Sequence, residues 1–118
     1  ALLRAEKIEK KGAGVCFDWP DINGVWDKIE EELRELKAAV SRGSFDQRVS
    51  ELGDLLFSVV NLSRFLKIDP EEALSKTVNK FIDRFNYVEK RLKAEGKNPQ
   101  EASLEEMDKF WNESKKKI

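Results

Sequence analysis

The sequence predicts an all-α fold, a bundle of about five helices around an antiparallel helix hairpin. Three observations predict it. Charged residues, mostly Lys and Glu, make up 38% of the 118, with only six Gly and three Pro, a mixture suited to long amphipathic helices. Apolar side chains recur three and four apart through most of the chain. No stretch alternates apolar and polar residues over a strand's length, and no segment repeats.

The first helix is expected over Leu2–Lys11, with Leu2, Leu3 and Ile8 apolar and Gly12 and Gly14 ending it. Val15 to Pro20 reads as a non-helical connector, because Pro20 disfavours helix at Trp19. Asp21 suits an N-cap for the second helix, whose apolar positions are Ile22, Val25, Trp26, Ile29, Leu33, Leu36 and Val40. Gly43 suits the left-handed residue beyond its end. Ser44 with Gln47 three later is a capping box for the third helix, so the intervening loop is very short and the two helices form an αα-hairpin.

The third helix carries a broad apolar stripe (Phe45, Val49, Leu52, Leu55, Leu56, Val59, Val60, Leu62 and Leu66), which predicts a central position ending near Lys67. Asp69-Pro70-Glu71-Glu72 restarts the chain as N-cap, first helical position and capping box. The fourth helix presents Leu74, Val78, Phe81, Phe85, Val88 and Leu92, a bundle seam, and Gly96 ends it. Ser103 and Glu106 cap a last short helix with Leu104, Met107, Phe110 and Trp111.

A chain of this length makes one domain with its own core. Its start, without Met and inside helix-like sequence, suggests a domain cut from something longer. A net charge of −1 argues against a general nucleic-acid binder. No apolar run approaches a membrane span and no signal-peptide pattern opens the chain. The single Cys16 forms no internal disulfide, and a cytoplasmic location is the simplest reading. Cys16 reads as an unreactive thiol, since there is no His to activate it. The absence of His also excludes Ser-His-Asp and Cys-His catalysis and most zinc sites. Any metal would be held by oxygen, which favours Mg²⁺ or Mn²⁺.

Two acidic pairs flank the hairpin turn: Glu32 and Glu35 before it, Glu51 and Asp54 after it. Each is spaced three apart and so shares a helix face. Glu35 lies eight residues before Gly43 and Glu51 seven after Ser44. At about 1.5 Å per residue both stand about 10–12 Å from the turn, and Glu32 and Asp54 about 15–17 Å from it. At about 100° per residue from each stripe's centre, Glu32 and Glu35 fall near −60° and −120°, with Lys28 between them. Glu51 and Asp54 fall at about −100° and −160°, the same-handed flank, which faces its counterpart in an antiparallel pair. Asp54 projects furthest out. Four converging carboxylates repel unless a cation offsets them, and Mg²⁺ with open water positions is the economical one. Solvated surface charge is the alternative reading. On the fourth helix Lys80, Arg84 and Arg91 share one flank with Tyr87 just beyond, which suits polyphosphate or an ordinary solvated face. Phe110 and Trp111 read either as stacking surfaces for a base or as a hydrophobic lid.

Glu31-Glu32-x-x-Glu35, then Glu51-x-x-Asp54, then Lys80-Phe81-x-x-Arg84-Phe85, resembles the MazG nucleoside triphosphate pyrophosphohydrolases of the all-α NTP pyrophosphatase group. Arg4-Ala5-x-Lys7-Ile8, Phe17-Asp18-Trp19-Pro20 and Glu106-Met107-x-x-x-Trp111 extend the resemblance over nearly the whole chain. It implies Mg²⁺-dependent cleavage of nucleoside triphosphates to monophosphate and pyrophosphate by a homodimer, and resembles the C-terminal of the two domains such proteins often carry. By position, Glu32, Glu35, Glu51 and Asp54 match metal ligands. Lys28, Lys80, Arg84 and Lys115 match phosphate-side cations, and Trp111 matches a base-stacking position. Glu31 or Glu35 is the expected base toward the attacking water. Cys16 departs from the pattern, standing where Gly is expected. The alternatives are a non-catalytic helical dimerisation module and a narrow dUTP or dCTP pyrophosphatase.

Overall fold

The computed structural model describes residues 1–15 and 17–117, so the expectations for Cys16 lie outside the described residues. Among these residues the elements are five α-helices and no strand: α1 Leu2–Gly14, α2 Ile22–Arg42, α3 Phe45–Phe65, α4 Pro70–Ala94 and α5 Leu104–Lys117. The chain divides into two compact units, Ala1–Ala73 and Leu74 onward.

In the first unit α1 runs through Gly12 to Gly14 rather than stopping at Lys11. The chain then folds back, and the Phe17 amide donates to the Gly12 carbonyl at 2.8 Å. Asp21 caps α2 by accepting from the Asn23 amide at 2.8 Å. The α2–α3 corner holds the expected capping box: Ser44 Oγ accepts from the Gln47 amide, and Gln47 Oε1 accepts from the Ser44 amide. Arg48 reinforces it by donating to the Ala39 and Val40 carbonyls in the last turn of α2, both at 3.3 Å. The Ala39 carbonyl also accepts from the Gly43 amide at 2.8 Å, so Arg48 adds a second donor to the end of α2.

Gly43 corrects the expected left-handed cap. Its φ of −91° and ψ of 168° are extended. Glycine is needed there for space, since a Cβ would lie 2.8 Å from the Ala39 carbonyl oxygen and 2.7 Å from Gln47 Oε1. The positive φ falls instead at Lys67 (59°), beyond α3, and at Gly96 (74°), beyond α4.

α3 packs on α2 and on α1. Val25 and Val60 are buried between these helices, yet much of the apolar stripe expected to be core is exposed: Trp26, Leu33 and Val40 on α2, and Phe45, Val49, Leu52, Leu56 and Val59 on α3.

In the second unit Val88, Leu92 and Phe110 are buried together, with Tyr87, Ala102, Met107 and Trp111 packed around them. Ser103 and Glu106 form a capping box at the start of α5, while Lys97 Nζ donates to Glu106 Oε2 at 2.7 Å. Leu74, Val78 and Phe81, the first half of the expected α4 seam, are exposed.

Candidate metal centre

The short, capped corner puts α2 and α3 side by side, so residues equally far from it meet. Carboxylate oxygens of Glu32, Glu51 and Asp54 lie within 4.8 Å of one another, as do those of Glu31, Glu32 and Glu35. Glu32 belongs to both groups. Glu35 reaches across to hydrogen-bond Glu51, and this bond, then the charge of Glu32, raises the pKa of Glu35 above the usual carboxylate range. Asp54 is inside the cluster despite its outlying projection.

Burial is uneven. Glu32 is 3% exposed and Glu51 half-buried, while Glu31, Glu35 and Asp54 are exposed. Lys28, one turn before Glu32, donates from Nζ to Glu32 Oε1 at 2.8 Å, and its pKa is raised mainly by that bond. It lies 3.7 Å from Glu31 Oε2. Glu32 Oε2 and Glu51 Oε2 are buried with no hydrogen-bond partner. A buried carboxylate oxygen without a partner costs on the order of 1–3 kcal/mol or more, and two facing one space repel. An all-oxygen donor set with orphaned buried atoms fits a hard divalent cation; soft or imidazole-seeking metals find no ligand suited to them here.

A cavity of about 520 Å³ lies in the same unit, between α1, the connector, α2 and α3. Ile8, Phe17, Trp19, Val25 and Phe57 make its apolar walls. Trp19 lies close against α2 at Gly24, where a Cβ would stand 2.8 Å from the indole. Arg64 Nη2 donates to Asp18 Oδ1 at 2.6 Å, and this bond lowers the Asp18 pKa. Arg64 also donates to Asn61 Oδ1 from Nε at 3.1 Å and from Nη2 at 2.7 Å. Glu9 is 8% exposed, and neither of its carboxylate oxygens has a partner among the described residues. Burial pushes its pKa up to about 7. The one sequence signal for Glu9 is its spacing: Leu2, Ala5, Glu9 and Gly12 share a helical face and put a carboxylate where a buried face wants an apolar residue.

In the second unit Lys80 and Lys115 are exposed and Arg84 is half-buried. The Arg84 guanidinium lies 5.7 Å from the Trp111 ring centroid, and Phe81 meets the same indole at 5.3 Å. Trp111 thus already orders two neighbours. Arg91 pairs with Glu113 at 3.3 Å and covers the Phe110 ring at 4.9 Å, and Tyr87 donates to the same Glu113 at 2.9 Å, so both hold α5 to α4.

A family model described as the MazG nucleotide pyrophosphohydrolase domain matches residues 24–89, the stretch holding both acidic pairs and the Lys80–Arg84 segment. The nucleoside triphosphate pyrophosphohydrolase/pyrophosphatase MazG of Thermotoga maritima is 45% identical over 115 residues, covering 98% of this chain and 44% of that protein. The nucleoside triphosphate pyrophosphohydrolase of Escherichia coli is 41% identical, covering 98% of this chain and 45% of that protein. An uncharacterised protein of Bacillus subtilis, YabN, is 54% identical over 66 residues, 56% of this chain and 14% of its own length. The chain spans less than half the length of these curated relatives.

Proposed function

The chain belongs to the MazG nucleotide pyrophosphohydrolase domain family, and from that premise we propose that it hydrolyses nucleoside triphosphates to the monophosphate and pyrophosphate with Mg²⁺ or Mn²⁺. The observation that carries this reading is the pair of buried, partnerless oxygens on Glu32 and Glu51 within one carboxylate cluster. Glu32, Glu35, Glu51 and Asp54 would hold the cation. Bound there, it supplies Lewis-acid polarisation of the α-phosphorus and neutralises charge on the phosphates.

This chain's residues do the rest. Lys28 offers its ammonium at the rim of the cluster. A water oxygen attacks the α-phosphorus, the bond from that phosphorus to the α–β bridging oxygen breaks, and pyrophosphate departs. Glu31 or Glu35 takes the proton from the water. Lys80, Arg84 and Lys115 neutralise the polyphosphate, and Trp111 offers stacking area to the nucleoside.

The enzyme would act as a homodimer. Phe45, Val49, Leu52, Leu56 and Val59 give α3 a continuous exposed apolar stripe, a surface that favours burial against a partner of like kind. No helix among the described residues is long and apolar enough to cross a membrane. A cytoplasmic location, with no membrane or nucleic-acid partner, belongs to the same reading. Incubation with mixed nucleoside triphosphates and Mg²⁺, followed by product separation, tests the activity. Monophosphate plus pyrophosphate supports it; diphosphate plus phosphate, or no product, contradicts it.

A further inference from the structure

We infer that Arg48 is a positioning residue for the carboxylate cluster: by tying the end of α2 to the start of α3, it holds Glu35 and Glu51 at the separation in which they share a cation. The inference rests on the proposed metal centre and adds the residue outside it that sets its geometry.

Position along the hairpin is the first argument. The Nε–Nη2 edge of the Arg48 guanidinium donates to the Ala39 and Val40 carbonyls, both at 3.3 Å. Ala39 follows Glu35 by four residues and Arg48 precedes Glu51 by three. The tie therefore lies about one helical turn, about 5–6 Å, on the corner side of the bonded Glu35–Glu51 pair. One planar group grips α2 at the end whose carbonyls carry negative partial charge. Its stem starts on the face of α3 that carries Glu51. Helices bend only gently over one turn, so the spacing set at the tie is passed on to the carboxylates.

The second argument is that little else holds the two helices together at this level. Beside Ala39 itself, the buried apolar residues of α2 and α3 are Val25 and Val60, about two turns further from the corner than Glu32 and Asp54. Nearer the carboxylates, Leu33, Leu52 and Leu56 are exposed. Glu32 and Glu51 each keep a buried oxygen without a partner, and like charges push the helices apart until a cation is bound. The Arg48 fork opposes that push.

The charge and the tie of Arg48 make opposite predictions for binding. A positive charge near the cluster disfavours a cation, so losing the charge alone tightens binding. Losing the tie weakens it, because ligands that must first be drawn together bind a small octahedral ion less well than ligands already in place.

The test measures Mn²⁺ affinity, by titration followed through the ion's paramagnetic resonance signal, for the parent, Arg48→Met, Arg48→Lys and Ser103→Ala. Ser103→Ala removes a helix cap in the other unit and controls for lost stability alone. Both Arg48 variants should fold, since Arg48 is exposed and the capping box at Ser44 remains. Arg48→Met should bind Mn²⁺ at least about threefold more weakly, despite the lost positive charge. Arg48→Lys keeps the charge without the planar fork and should weaken binding in the same direction. Ser103→Ala should bind as the parent does. In turnover, the half-saturating Mg²⁺ concentration of Arg48→Met should rise in the same proportion, with kcat at saturating Mg²⁺ within about twofold of the parent's. Parent-like or tighter Mn²⁺ binding in both Arg48 variants overturns the inference, as does an equal loss in Ser103→Ala. Weaker binding in both Arg48 variants supports it even if the parent cleaves no triphosphate, in which case only the hydrolysis reading falls. A parent that binds no Mn²⁺ overturns it together with the metal centre.

Discussion

Lys28 Nζ sits 2.8 Å from one oxygen of the buried Glu32 carboxylate while the other oxygen has no partner. One lysine thus offsets half of a group whose full charge needs a cation. Lys28→Met should lower the melting temperature of the metal-free protein, in line with a loss of about 1–3 kcal/mol for stranding a buried carboxylate. Millimolar Mg²⁺ should recover most of the loss if the same carboxylate binds metal. Thermal melts with chelator and with Mg²⁺ check this; a loss unchanged by Mg²⁺ would mean the carboxylate and the ion do not meet.

Glu9 makes stability depend on pH in a stated direction. Its pKa in the folded chain, about 7, lies above the unfolded 4.5. Between these values the folded state binds more protons, so stability is greatest below about pH 4.5, falls as pH rises and levels off above about 7, as far as this group is concerned. The swing is on the order of 3 kcal/mol. Glu9→Leu should remove that slope and be the more stable protein at pH 8. Urea unfolding at pH 5 and pH 8 reads it directly, and parallel pH profiles for parent and variant would refute it.

Gly43 holds the hairpin corner through lack of a side chain. Gly43→Ala places a methyl 2.8 Å from a backbone carbonyl and should destabilise the chain by about 1–3 kcal/mol, seen as a lower urea midpoint. An unchanged midpoint would show that the corner relaxes freely.

The exposed stripe on α3 predicts association. Leu56→Asp should shift the particle from dimer to monomer in light scattering while helical circular dichroism persists. A parent that is already monomeric would remove this prediction's basis.

The helix starts are legible because their signals are local. Asp21, Ser44 with Gln47, and Ser103 with Glu106 each satisfy amides within three residues, and such bonds follow from spacing alone. The two acidic pairs were legible for a similar reason, since a short corner and a constant rise determine which residues are level. Direction was less legible: Asp54 projects outward on an isolated helix, but packing against α2 places it within reach of Glu32 and Glu51. The left-handed role that Gly43 suits in sequence belongs to Lys67 and Gly96, because a glycine required by a close neighbour looks the same in sequence as one required by its own φ. The cavity escaped notice because it joins Glu9, Trp19 and Asn61 from three separate segments, and periodicity says nothing about such a meeting. Phe45, Leu52 and Leu56 belong to a stripe that predicts a central helix, yet they are exposed, since a periodic stripe does not say whether its own chain or another one covers it.

The central claim is that the Glu32, Glu35, Glu51 and Asp54 carboxylates hold the cation on which triphosphate cleavage depends. Glu51→Gln tests it most directly, because the change keeps shape and removes one charge. With Mg²⁺ and a saturating triphosphate mixture, the account predicts monophosphate release at least about 100-fold slower than the parent's, with unchanged helical content. Equal rates in parent and variant would contradict it.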